Sequence, residues 1–135
     1  MAHTQICDRK KNLLVTTLRG DISGQELMDS FSRIYMQPAF DESFHQLWDC
    51  RFVDRFIIND GDLEAMKHLA DTVCSQTSEN HGKMAVVAQE QGIVNIIKTI
   101  FSKACSGNKE KSLFDNIEAG LAWLGIKSLP AYMLN

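Results

Sequence analysis

The last third of the chain alternates between two hydrophobic periods, and that alternation restricts the fold more than any other feature. Gly82 to Ala88 reads GKMAVVA, a short and nearly continuous apolar run. Ile93, Ile96, Ile97, Ile100, Phe101 and Ala104 then recur at spacings of three and four, which is the rhythm of one helix face. Ser112 to Leu124 reads SLFDNIEAGLAWL, a second short strand running directly into a closing helix. Strand, helix, strand, helix within about forty residues specifies a packed α/β layer.

The rest of the chain extends the same pattern. Gln5–Asp8 and Leu13–Leu18 read as two strands joined by the polar turn Arg9 to Asn12, with Gly20 ending the second. LLVTTL is rich in the branched residues that strands favour. Ser23 and Glu26 fit a capping box, and Leu27, Met28, Phe31, Ile34 and Tyr35 are spaced for one buried helix face. Pro38 stops that helix, because the residue before a proline avoids the helical region. Phe44–Asp49 (FHQLWD) reads as a central strand and Asp49–Asn59 as an irregular crossover. Asn59 or Asp60 then caps a helix with Leu63, Met66, Leu69, Ala70 and Val73 as its apolar positions, followed by a polar loop from Ser75 to His81. Gln89–Gly92 is a turn, Ser106–Lys111 a loop, and Ser112–Phe114 the last strand. Asp115, with Glu118 three residues later, caps the final helix, whose inner face is Ile117, Leu121 and Leu124. The expected order is β-β-α-β-α-β-α-β-α over residues 1–135, read as one domain: an α/β chain with a mixed sheet of four to five strands covered by about four helices.

Composition narrows the function. A net charge of -3 argues against a general nucleic-acid binder, which needs a basic stripe to displace counterions. No apolar run reaches the ~20 residues that span a bilayer, and the charged start MAHTQICDRKKN does not resemble a signal peptide; the expected location is cytoplasmic. Cys7, Cys50, Cys74 and Cys105 form no short-spaced pair, so they read as reduced core or boundary residues and no metal site is expected. G-x-S-x-G, P-loop and H-E-x-x-H motifs are absent from the sequence. The four histidines fall on different segments, with His45 beside Trp48 read as a boundary residue. No catalytic residues and no cofactor are assigned.

The ordered segments LLVTTLRGDISGQEL (Leu13–Leu27), QPAFDESFHQLWDCR (Gln37–Arg51), GKMAVVA and LFDNIEAGLAWL together resemble the STAS fold, and within it the SpoIIAA-like (STAS/SEC14) group. The resemblance implies helices mainly on one side of a mixed sheet, and a regulatory or ligand-binding role rather than catalysis. STAS proteins that antagonise anti-sigma factors carry a phosphorylated serine at the start of the helix after the second core strand. The matching stretch here, IINDGD at Ile57–Asp62, contains no serine or threonine. Its acidic pair mimics a phosphoserine in charge but cannot be switched. The group also resembles the lipid-carrying CRAL-TRIO fold, which implies an apolar ligand or membrane contact.

Three clusters are candidates for function. Asp49, Arg51, Asp54 and Arg55 follow a central strand, where open α/β sheets place ligands, and arginine suits a phosphate or carboxylate. Local surface ion pairs are the competing explanation. Asn59, Asp60, Gly61 and Asp62 have the wrong register for a calcium loop and are explained by helix capping; Asp60 and Asp62 are also the candidate partner-binding residues. The helices carrying Met66, Ile97 and Phe101 either simply cover the sheet or form a movable lid over an apolar pocket, with Lys67, Lys98 and Lys103 at headgroup level if a membrane is the partner. Excess apolar surface there would equally suit a homodimer. The leading expectation is a module that binds an apolar small molecule or lipid through Trp48, Arg51, Met66, Ile97 and Phe101, with peripheral membrane association. The alternative is a protein-interaction regulator of the anti-sigma-antagonist type.

Overall fold

Nine elements follow one another in the expected order. They are β1 (His3–Asp8), β2 (Leu13–Ser23), α1 (Gly24–Met36), β3 (His45–Ile57), α2 (Asp60–Cys74), β4 (Met84–Val87), α3 (Gln91–Lys103), β5 (Lys111–Phe114) and α4 (Ile117–Leu124). The computed structural model describes residues 3–38, 43–74, 82–104 and 110–129. The loop expected at Ser75 to His81 lies outside the described residues, as do residues 106–109 and the side chains of Val73, Cys74 and Cys105.

The strands form one five-stranded sheet in the order β1-β2-β3-β4-β5. β1 is antiparallel to β2, and every later pair is parallel. A parallel series that always steps the same way, joined by right-handed crossovers, must put every crossover helix on one face. Helices α1, α2 and α3 are those crossovers. Their face of the sheet presents Leu14, Leu18, Trp48, Cys50, Met84 and Val86. Helix α4 follows the last strand and has no strand to return to, so it covers the opposite face through Ile117, Leu121 and Leu124 against Leu13, Val15, Leu47, Ala85 and Val87. Residues Leu13 to Leu18 and Met84 to Val87 are therefore buried at every position, as strands covered on both faces should be.

Local chemistry fixes the helix ends. The Glu26 amide donates to Ser23 Oγ and the Ser23 amide to Glu26 Oε1, each at 3.1 Å, completing the expected capping box. Asn59 Oδ1 accepts from the Asp62 amide at 2.8 Å and Asp62 Oδ2 accepts from the Asn59 amide at 3.0 Å, the same reciprocal arrangement at the start of α2. Glu90 caps α3 by accepting from the amides of Gly92 and Ile93. At α4 the expectation fails by one residue: Asn116, not Asp115, is the cap, accepting from the Ala119 amide at 2.7 Å. Glu118 then falls one position early for a capping box and lies in the first turn instead, where its charge favours the positive helix end.

Two strands run further than their sequence suggests. β2 continues through Gly20 to Ser23, and β3 continues through the segment expected to be irregular as far as Ile57. They pair along this whole length, but the register slips between Thr17 and Arg19 and again between Gly20 and Asp21, so β3 contains two extra residues. Each bulge breaks the period-two pattern by one residue. Cys50, Val53 and Phe56 all reach the helix-side core at spacings of three rather than two, which conceals a strand from a test of alternation.

Two glycines are required for different reasons. A Cβ on Gly82 would collide with the Phe44 carbonyl, because the chain entering β4 passes directly against β3. Gly20 has open space around it but a φ of 75°, which L-residues avoid. Gly82→Ala is therefore expected to lose about 2 kcal/mol or more through backbone displacement, and Gly20→Ala about 1 kcal/mol through strain alone. Urea denaturation measures both, and a Gly82→Ala variant as stable as wild type would contradict the close approach.

Candidate functional site

Helix α2 packs chiefly on its neighbours α1 and α3 rather than down on the strands. It therefore bridges two helices that themselves rest on the sheet, and space remains beneath it. That space is an apolar cavity of about 100 Å³ that is partly open to solvent. The sheet supplies its floor with Leu18, Trp48, Cys50, Phe56, Met84 and Val86. Helix α1 contributes Leu27, Met28 and Phe31; α2 contributes Met66, Leu69 and Ala70; α3 contributes Ile97, Ile100, Phe101 and Ala104. All sixteen are apolar residues or a thiol, and no charged side chain is among them. Methionines from α1, from α2 and from the floor (Met28, Met66 and Met84) give the lining an adaptable surface.

Of the residues singled out by sequence, Trp48, Met66, Ile97 and Phe101 are brought together around this cavity. Trp48 is held in place at its polar end: Nε1 donates to Gln46 Oε1 at 2.9 Å, with both residues buried. Sequence reasoning missed the contribution of α1, although its spacing correctly marked Leu27, Met28 and Phe31 as inward-facing. It also missed Gln46, a fully buried amide two residues before the tryptophan.

Arg51 does not join this group. Alternation along β3 places Asp49 and Arg51 on the opposite sheet face, with Leu47 and towards Glu118 of α4. The Asp49 carboxylate is fully buried and receives three donors from Arg51: the backbone amide at 3.1 Å and Nε at 2.9 Å on Oδ1, and Nη2 at 2.8 Å on Oδ2. This hydrogen-bonded pairing raises the Arg51 pKa above its ordinary value. Its guanidinium also stacks on the Phe52 ring, which Arg19 approaches as well. The rule that had pointed to Arg51 applies where the strand order reverses and a crevice opens. From β2 to β5 the order never reverses, so this sheet has no such crevice. Arg55 is likewise engaged, with Asp21 at 2.7 Å, and that contact lowers the Asp21 pKa.

Asp62 is committed to capping α2 and lies against Gly24 at the start of α1, while Asp60 is exposed in the first helical turn. The capping explanation accounts for the geometry of this pair. His45, expected at a boundary, is half-buried and its Nδ1 accepts from the Lys83 amide at 2.9 Å, joining β3 to the chain entering β4. Among the described residues no group of three or more His, Cys, Asp or Glu side chains is placed to hold a metal ion. Cys50 faces the cavity, but burial pushes its thiol well above the ordinary range and the nearby Asp49 carboxylate adds to this, so it stays protonated and is a poor nucleophile. No described helix is long and apolar enough to cross a membrane. The large apolar side chains exposed among the described residues are Met36, Phe52 and Ile57, none of them on α2 or α3.

No protein-family model matches the chain, and no curated protein matches it.

The Asp49–Arg51 pair yields an asymmetric prediction. Arg51→Met leaves a carboxylate buried without its cation and is expected to cost about 3 kcal/mol. Asp49→Asn leaves a partly exposed guanidinium that water can reach, and is expected to cost about 1 kcal/mol. Chemical denaturation of the two variants checks this, and equal losses would contradict the burial of Asp49.

Proposed function

We propose that the chain is a small binding module that holds an apolar or amphipathic molecule between its sheet and the helix layer formed by α1, α2 and α3. The observation that carries this reading is the cavity of about 100 Å³ with an apolar lining from the sheet and all three helices above it. Protein interiors are otherwise filled to crystal-like density, and an unfilled apolar space forfeits dispersion contacts on every wall. Ligand sites are typically such concave, mostly apolar spaces, and apolar cavities take up small apolar molecules. The resemblance to the SpoIIAA-like STAS group, and through it to the lipid-carrying CRAL-TRIO fold, supports the same reading.

An interior ligand is favoured over a membrane lying on the outside of the helices. The apolar stripe of α3 is directed inward: Ile93 and Ile97 are buried, and Val94, Ile96 and Phe101 are packed against the same core. Lys67, Lys98 and Lys103 are exposed, but among the described residues α2 and α3 offer no large exposed apolar side chain beside them. An interfacial helix needs both components. Catalysis has no support from the cavity, whose lining carries no acid, base or activated nucleophile.

Ala70 projects from α2 into the space, so Ala70→Leu fills it from above. The variant is expected to be as stable as wild type or up to about 1 kcal/mol more stable, and to lose ligand uptake. Native mass spectrometry of the freshly purified chain, followed by thermal-shift titration with five- and six-carbon hydrocarbons, ketones and alcohols, checks this. Wild-type chain should carry a small organic adduct or be stabilised by members of the panel, and Ala70→Leu should show neither. A wild-type chain that emerges empty and responds to none of them would overturn the reading.

A further inference from the structure

Two strands run on past their neighbours. β1 pairs with β2 only as far as Leu18, and β4 pairs with β3 only as far as Asp49. Beyond those points residues 19–23 and 52–57 pair with each other alone, as a two-stranded ribbon. One face of the ribbon is buried: Ile22, Val53 and Phe56 belong to the helix-side core. The other face carries Arg19 opposite Phe52, Asp21 opposite Arg55 and Ser23 opposite Ile57. Contacts across the strands follow this pairing. The Arg19 guanidinium lies 4.6 Å from the Phe52 ring centroid, and Arg55 Nη2 donates to Asp21 Oδ2 at 2.7 Å. Helix α4 packs on Leu13, Val15, Leu47, Ala85 and Val87 on this side of the sheet, none of them in the ribbon. Phe52 is accordingly 40% exposed and Ile57 54%, and among the described residues only Met36 joins them as a large exposed apolar side chain.

The pattern is its own complement. The bulge at Asp54 absorbs one residue, so Phe52, Arg55 and Ile57 stand opposite every second residue of β2 and are evenly spaced. Turning the ribbon end for end about Arg55 therefore puts Phe52 in the place of Ile57 and keeps the ion pair at the centre. The charges at the two ends are opposite and unanswered. At the base, Arg19 pairs with no carboxylate among the described residues. At the tip, Asp60 is exposed in the first turn of α2 and pairs with no cation among them. Helix α4 sets the orientation. Glu118 in its first turn acts on Arg51, so the helix stands on this same face where the ribbon begins. A mate can lie flat on the ribbon only with its own α4 at the far end.

We propose that two copies of the chain associate through this outer ribbon face, antiparallel about a twofold axis over the Asp21–Arg55 row, with Phe52 of one protomer on the partner's Ile57 and Arg19 beside the partner's Asp60. Each of these contacts then occurs twice, as an isologous interface requires. The two Asp21–Arg55 pairs meet at the centre as a cluster of no net charge. A second copy is the occupant because the face matches its own spacing and its own charges. Six facing residues are few beside the roughly 20–30 a side of a standard interface, so the dimer is weak and forms reversibly with concentration. The proposal is independent of the ligand-binding reading.

Sedimentation equilibrium of the full chain up to about 1 mM reads the association even at the affinity of a small interface. Wild-type chain is expected to pass from monomer to dimer over this range and to stop there, because an isologous contact closes on itself. Phe52→Lys and Ile57→Glu should each weaken the dimer at least about tenfold, since each sets a charge against an apolar side chain twice. Mixed in equal amounts, the two variants should associate within about threefold of the wild-type affinity, because the introduced charges meet and the remaining Phe52 and Ile57 meet as before. Arg19→Glu and Asp60→Lys repeat the test with exposed residues at the two ends, and decide it if either of the first pair fails to fold. A wild-type chain that stays monomeric at the highest concentration overturns the proposal. So does a dimer that the substitutions leave unchanged, which would use another surface. Variants that weaken association but do not recover on mixing overturn the antiparallel pairing itself.

Discussion

The arrangement depends on one constraint, the handedness of the connections between parallel strands. From β2 to β5 the sheet grows in a single direction, so right-handed crossovers deliver α1, α2 and α3 to the same face. Three helices must then share a surface only a few strands wide. The outer two, α1 and α3, settle on the sheet, and the middle one rests on them. A roof formed in this way is supported at its sides, and the cavity lies beneath its span. Helix α4, which has no strand to return to, covers the other face, where it packs on Leu13, Val15, Leu47, Ala85 and Val87.

The two faces also divide the polar chemistry. On the α4 side, the buried Asp49 is fully answered by Arg51, with each carboxylate oxygen receiving a donor. Such a pair is internally satisfied and leaves little capacity for a ligand. On the helix-layer side, the buried amide of Gln46 is answered on its oxygen and not on its nitrogen. The charge pair on one face is satisfied within the protein, which gives Asp49 and Arg51 a structural role.

Much of the fold was legible because local signals agreed with one another. The switches between hydrophobic periods gave the element order, and the Ser23–Glu26 box marked the start of α1 to the residue. The extension of β3 was hidden because its two bulges move Val53 and Phe56 out of strict alternation, a pattern that a sequence reader takes for a loop. Met66, Ile97 and Phe101 meet at one place because each is an apolar residue on an inward helix face, which periodicity detects, and Trp48, expected from its place near a strand end, joins them. Arg51 was misplaced because a charged residue after a central strand suggests a strand-end site, whereas the sheet lacks the reversal of order that creates one. The cavity itself was not legible: a void is set by how far α2 stands from the floor, and no single residue or spacing encodes that distance. Gln46 was overlooked because a polar residue in an apolar strand shows its significance only when its partners can be counted.

The central claim is that a persistent apolar space exists beneath α2 and accepts a guest. Xenon tests it most directly, since it binds such spaces through dispersion alone and needs no knowledge of the natural ligand. Under xenon pressure, methyl and aromatic resonances of Met66, Ile97, Phe101 and Trp48 should shift together and saturate with one affinity, while those of Leu13, Leu121 and Leu124 on the α4 face stay fixed. Absence of any saturable shift at the first group, or equal shifts on both faces, would contradict the account.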